Sequence, residues 1–187
     1  MCLLAVAWRI HPEYPLLVCA NRDEFYARPT LPAHFWSDHP KIFAGRDLQA
    51  GGSWMGISTS GRFAALTNIR NPAANRDDVL SRGLLISQFL GNERPVLDYC
   101  QSLQLQAGLY NGYNLLASDG RELIYQSNGI EQPVVLSPGL YGLSNATLNT
   151  PWPKVNSAVE KLNRWINRAE ESVTELALLL NDHAIAP

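Results

Sequence analysis

Lysine is scarce in this chain: of its 15 basic residues only Lys41, Lys154 and Lys161 are lysine, and the rest are arginine. Charge of either sign is thin, at 17% of residues, and the net charge of −2 leaves no basic footprint for nucleic acid. RNP-like, zinc-finger and basic-helix patterns are missing as well, so no nucleic-acid partner is expected. Cysteine is limited to Cys2, Cys19 and Cys100, with no CxxC pair and no spacing that makes a disulfide framework. The four histidines (His11, His34, His39 and His183) show neither HExxH nor an i,i+4 pair, so no metal site is expected. A Walker A loop and a dinucleotide fingerprint are both absent, and no cofactor is required by the sequence. The apolar run MCLLAVAW is too short for a membrane span and meets Arg9, His11 and Glu13 at once. It has no basic n-region and no AxA-like cleavage site, so it does not read as a signal peptide. A reducing, cytoplasmic compartment fits these absences best.

What remains is ordinary globular composition. A chain of 187 residues, 46% hydrophobic, is long enough for one domain with a sizeable core, and no linker or repeat divides residues 1–187. Residues 2–10 and 16–21 are apolar runs joined by HPEYP, which predicts a largely buried hairpin. The Pro-rich, aromatic stretch Tyr26 to Pro40 reads as an extended surface loop. A second hairpin is expected over 53–58 and 62–69, turning at Ser60-Gly61. Val79, Leu80, Leu84, Leu85 and Phe89 fall on one face of a helix running from Asp77 to Leu90, with Gly91 as its stop. A shorter helix is expected from Arg94 to Leu103, and Asp119-Gly120 marks a hairpin between 113–118 and 121–126. Strands near 133–136 and 139–143 precede a helical region from Pro153 to Asn181. Strands, helices, strands and helices in that order predict an α+β fold, antiparallel sheets covered by helices.

Cys2 carries the chemistry with the most consequence. A small second residue tolerates removal of Met1, and a terminal cysteine then holds a thiol nucleophile and an α-amine base, with a reference pKa near ~8, in one residue. Read alone, Cys2 is more simply a small apolar residue opening a strand. Asn21-Arg22-Asp23-Glu24 follows the second strand. Those four residues form a solvated turn, or the hairpin returns them beside the chain start, where they can tune the thiol or hold the amine. Asn68 and Asn145 each end a strand, which suits a turn and also suits an amide donor to an oxyanion. Gly51 to Ser58 (GGSWMGIS) makes either a tight turn with Trp54 in the core or a backbone approach for a ligand. The arginine excess slightly favours a carboxylate or phosphate ligand, although compositional bias explains it as readily.

The order MCLL, ANRDEFYARPT, GGSWMGIS..GRFAALTNIRNP, SRG, NGYNLL and GLSN is distinctive. It resembles the NRDE family, also called the transport-and-Golgi-organisation 2 family, over essentially the whole chain. The resemblance implies an N-terminal-nucleophile-hydrolase-like αββα sandwich, similar also to choloylglycine hydrolases and penicillin V acylases. By that similarity Cys2 would be nucleophile and base, Asp23 or Glu24 would hold the amine, and Asn68 and Asn145 would line an oxyanion hole. The acylase cluster is an Arg-Asn-x-Asp pattern, which Asn-Arg-Asp-Glu meets only with a shift. Family members usually continue several dozen residues further, with a YGTR-like motif, so the fold is expected to lack C-terminal strands if this chain is short. The family is linked to haem trafficking and to lipid or acyl-CoA handling. The first functional expectation is therefore a protein that binds or traffics haem or a related amphipathic anion, with Asn21, Arg22, Arg46, Trp54 and Arg70 at the ligand. The alternative is a cysteine N-terminal-nucleophile hydrolase that cleaves a non-peptide amide bond.

Overall fold

The computed structural model describes residues 2–168, 172–178 and 180. Two compact units make up the chain, residues 1–23 with 137–187, and residues 24–136.

The first unit is a three-stranded antiparallel sheet in the order β10-β1-β2, formed by β1 (Leu3–Trp8), β2 (Leu16–Asn21) and β10 (Gly139–Leu143). Every residue of β1 is buried, as expected of a central strand written as a continuous apolar run. Leu3, Ala5 and Ala7 alternate onto one face and pack with Leu17 and Cys19 against α3 (Pro153–Ile166), through Val155, Ala158, Leu162 and Trp165. Cys2, Leu4, Val6 and Trp8 therefore lie on the opposite face. The β1–β2 turn is tied by His11, whose Nδ1 accepts the N–H groups of Glu13 and Tyr14, both at 3.1 Å. Its ring stacks on Trp165 with centroids 6.0 Å apart. The helical region expected from Pro153 to Asn181 divides into α3 and a short α4 (Val173–Leu178); Asn181 and His183 lie outside the described residues.

The second unit is a seven-stranded antiparallel sheet in the order β3 to β9: β3 (Thr30–Phe35), β4 (Ile42–Asp47), β5 (Met55–Ser58), β6 (Phe63–Asn68), β7 (Tyr113–Ser118), β8 (Leu123–Ser127) and β9 (Val134–Val135). One face carries Ile42, Ala44, Ala64, Leu66, Leu115, Ala117 and Ile124 into a core with α1 (Gly83–Leu90) and α2 (Val96–Gln104). Arg62 is buried there. It donates to the carbonyl of Phe89 (3.2 Å), at the carbonyl end of α1, and to that of Arg94 (2.9 Å) in the link to α2.

Three sequence expectations shift. Part of the surface loop over Tyr26–Pro40 is the edge strand β3, a position where Pro32 is tolerated because an edge strand can lack a donor; a bulge interrupts its pairing between Leu31 and His34. The helix expected from Asp77 begins only at Gly83, because Leu80 bridges Tyr110 and gives its N–H to the Leu109 carbonyl at 2.9 Å. At Asp119-Gly120 the ladder closes at Ser118 and Leu123, since the Asp119 carboxylate takes the N–H groups of Arg121 and Glu122 and widens the turn.

Strand β10 lies hard against α3. A Cβ on Gly142 would sit 2.4 Å from Val155 Cγ1 and 2.8 Å from Val159 Cγ2. Gly142→Ala should push helix from strand and lower stability by about 1–3 kcal/mol, read as a lower urea midpoint with the slope unchanged.

Candidate functional site at the head of the first strand

The antiparallel register decides what lies beside Cys2. In the β1–β2 ladder Leu3 pairs Asn21, so one step further sets Cys2 opposite Arg22. The β1–β10 ladder ends at the pair Leu4–Leu143, and Ser144 and Asn145 follow directly in the bend beyond it. Alternation, continued one step in the β1–β2 ladder, places Cys2 and Arg22 on the face turned away from α3. Asn21 is on the other face and donates its side-chain amide to the Leu180 carbonyl at 2.9 Å. Asn21 thus anchors structure, while Arg22 borders Cys2.

Cys2 is half-buried, whereas Cys19 and Cys100 are buried. Burial pushes the Cys19 thiol up to about 11 and the Cys100 thiol up to about 12, so both stay protonated and unreactive at neutral pH. Position rather than residue type therefore singles out Cys2 as the nucleophile candidate. Its backbone carbonyl accepts a 2.6 Å hydrogen bond from the Ser144 hydroxyl, which also lies 3.4 Å from Asn145 Oδ1. Ser144 and Asn145 are both buried. They stand on a loop closed by Asn149, which gives its N–H to the Gly142 carbonyl at 2.8 Å and accepts the Gly142 N–H on Oδ1 at 2.9 Å. Asn149 holds φ at +57°, a left-handed conformation that asparagine tolerates better than most residues.

The remaining candidates are described within their own units. Asp23 is exposed directly after Arg22, at the end of the first unit's N-terminal segment. Glu24 belongs to the second unit; its carboxylate accepts the Phe25 N–H at 3.0 Å and stands 3.9 Å from Arg28. Asn68 is exposed at the end of β6, opposite Tyr113, and alternates onto the α1–α2 side of its sheet. Arg70 is exposed just beyond. Arg46 is engaged in a two-pronged pair with Asp38 at 2.5 and 2.6 Å and lies over the Trp36 ring. Trp54 packs its ring over Gly45, where an added Cβ would come within 2.5 Å of the indole.

Other motif residues also prove to be packing devices. Gly52 and Gly83, from GGSW and SRG, meet backbone to backbone: a Cβ on Gly52 would sit 2.3 Å from the Gly83 carbonyl carbon. Asn114 of NGYNLL donates to Thr67 Oγ1 at 3.1 Å and accepts from the Tyr125 hydroxyl at 2.8 Å, a buried network of the second sheet. Among the described residues no group of three or more His, Cys, Asp or Glu could hold a metal ion, and no helix is long and apolar enough to cross a membrane. Sequence reasoning missed Ser144 altogether; its only trace was the GLSN motif, whose asparagine drew the attention.

Sheets of antiparallel strands with helices on one face, and a cysteine opening the central strand of one of them, define an N-terminal-nucleophile-hydrolase-like fold. A solved structure carries the same class: the Caenorhabditis elegans N-acylethanolamine-hydrolyzing acid amidase (NAAA) ortholog superposes with a TM-score of 0.63 at 10% identity, covering 97% of this chain and 86% of that one. The chain itself belongs to the Transport and Golgi organisation 2 family, which it matches over residues 1–187. It is 39% identical to the Bos taurus Transport and Golgi organization protein 2 homolog, over 100% of this chain and 74% of that protein. The Homo sapiens homolog is 41% identical over 83% of this chain and 60% of its own length. The Drosophila melanogaster Transport and Golgi organization protein 2 is 27% identical over 100% of this chain and 75% of its length.

The Arg46–Asp38 pair gives a pH test. The Arg46 hydrogen bond is the main cause that holds the Asp38 carboxyl down at about 2. A depressed carboxyl adds stability above its unfolded value of 3.8, and loses it as pH falls toward 2. Asp38→Asn should therefore lower the urea midpoint slightly at pH 7, and the gap to wild type should close by pH 2. A gap of constant size across that range would refute the assignment.

Proposed function

We propose that this chain binds an amphipathic anion, haem or a lipid or acyl-CoA of similar character, with the acid group received at the head of β1. The observation that supports this is the register of β1, which brings the residues just beyond β2 and β10, Arg22 and Asn145 among them, to the end of the sheet where Cys2 stands. A guanidinium offers a planar fork of donors to a carboxylate or phosphate, and the amide adds a neutral donor. Arg46 stands in the second unit and pairs with Asp38, and Asn21 turns to the Leu180 carbonyl. For haem, the propionates would go to Arg22, and Cys2 is the sulfur donor at this end of the sheet. Titration of the purified chain with hemin and with palmitoyl-CoA should show saturable binding of at least one. Arg22→Ala should weaken it by about tenfold or more, with Arg46→Ala close to wild type. No saturable binding of either ligand would end the proposal.

A second function is favoured by the Ser144 bond to the Cys2 carbonyl and by the fold class: hydrolysis of a non-peptide amide with Cys2 as N-terminal nucleophile. Once Met1 is removed, the Cys2 α-amine takes the thiol proton as Sγ attacks the amide carbon, and Asn145 donates to the developing oxyanion. The C–N bond breaks as the amine passes that proton to the leaving nitrogen, which leaves a thioester on Sγ. Water, giving a proton to the same α-amine, then attacks the thioester; a carboxylic acid leaves and the proton returns to Sγ. Intact mass decides whether the amine exists. Cys2→Ala should abolish turnover of an N-acyl amide panel that includes decanoyl p-nitroanilide, and activity equal to wild type would exclude the mechanism.

A further inference from the structure

We infer that Ser144 is the positioning residue of this site: its hydroxyl holds the nucleophile's backbone through the Cys2 carbonyl. The inference rests on the hydrolytic function proposed above, and its geometry lies wholly within the first unit.

The residue that must act in such chemistry stands at the very start of its sheet. Cys2 precedes the first ladder pair of β1, so the regular pairing of the sheet begins at Leu3. An unfixed terminal residue would rotate about its own backbone torsions, and thiol and amine would turn with it. The 2.6 Å bond from Ser144 Oγ to the Cys2 carbonyl supplies a restraint at that point, on the far side of the residue from its amine. A bond of that length lies at the short end of the O–H···O range. Ser144 is itself held: it follows the last residue of β10, and the Asn149–Gly142 pair closes the loop beyond it.

The same hydroxyl lies 3.4 Å from Asn145 Oδ1. The single hydroxyl proton is committed to the Cys2 carbonyl, so Ser144 acts on the nucleophile's backbone. Misplacement of a reacting group by about 1 Å costs on the order of a hundredfold in rate. Alanine at 144 removes the hydroxyl, threonine keeps it, and neither adds or removes charge.

The test compares wild type, Ser144→Ala and Ser144→Thr as full chains, with circular dichroism and melting as the check on folding. Iodoacetamide labelling, followed by peptide mass, reads the thiol independently of any turnover; the buried Cys19 and Cys100 serve as internal controls. S144A should slow Cys2 alkylation by about fivefold, and S144T should restore it to within about twofold of wild type. On decanoyl p-nitroanilide, S144A should lower kcat by about tenfold at nearly constant KM, again rescued by threonine. Alkylation that is slowed and rescued in a chain that cleaves no amide would retire the hydrolase but keep Ser144 as the residue that positions Cys2. Equal alkylation rates in wild type and S144A overturn the inference, as does a raised KM with kcat unchanged. If S144A does not fold, Ser144→Cys, with its weak donor of similar shape, carries the same readouts, with the Cys2 peptide scored separately.

Discussion

The register of β1 between β2 and β10 is the constraint on which the site depends. A shift of one residue in either ladder would turn every side chain of that strand to the other face. Leu3, Ala5 and Ala7 would leave the α3 core, and Cys2 would meet other residues beyond β2 and β10. Burial of the whole strand makes such a slip costly, because both faces of β1 are apolar and filled. Gly142 adds a steric pin, since it admits α3 so closely that no side chain fits between. The chemistry at Cys2 is therefore fixed by packing several residues away from it.

Around that frame the motif residues divide by physical role. Gly52 and Gly83 exist for backbone contact, Trp54 for cover over Gly45, and Asn114 for a buried polar network with Thr67 and Tyr125. Asn21 and Arg22 are neighbours with opposite duties, because adjacent residues on a strand face opposite sides. In the tetrapeptide at the end of β2, one side chain anchors and the next borders the nucleophile candidate. The fourth, Glu24, turns to its own local partners, the Phe25 N–H and Arg28.

Much of the fold was legible in the sequence. The apolar runs at 2–10 and 16–21 mark β1 and β2, and the Gly61 and Asp119-Gly120 turns mark the hairpins of the second sheet. β3 was hidden by Pro32 and by its exposure, since an edge strand with polar and apolar residues mixed has no clear period of two. β4 was not read at all. The non-helical run before Gly83 was hidden because Val79 and Leu80 continue a helical spacing that a contact with Tyr110 overrides. Of the site, Cys2, Arg22 and Asn145 could be named as candidates. Their adjacency could not, because the ladder to β10 closes across more than a hundred residues of chain.

By itself the sequence determined the alternation of buried strands and amphipathic helices, the family, and the residue types available for chemistry. Those are local or compositional properties, written in spacing and side-chain identity. Tertiary structure decided which cysteine is accessible, that Arg46 meets the Asp38 carboxylate, and which hydroxyl reaches the Cys2 carbonyl. Each of these depends on distance between residues far apart in the chain. Ser144 shows the difference most plainly: the GLSN motif contains it without marking its role, and only the pairing of β10 with β1 carries its oxygen to within 2.6 Å of the Cys2 carbonyl.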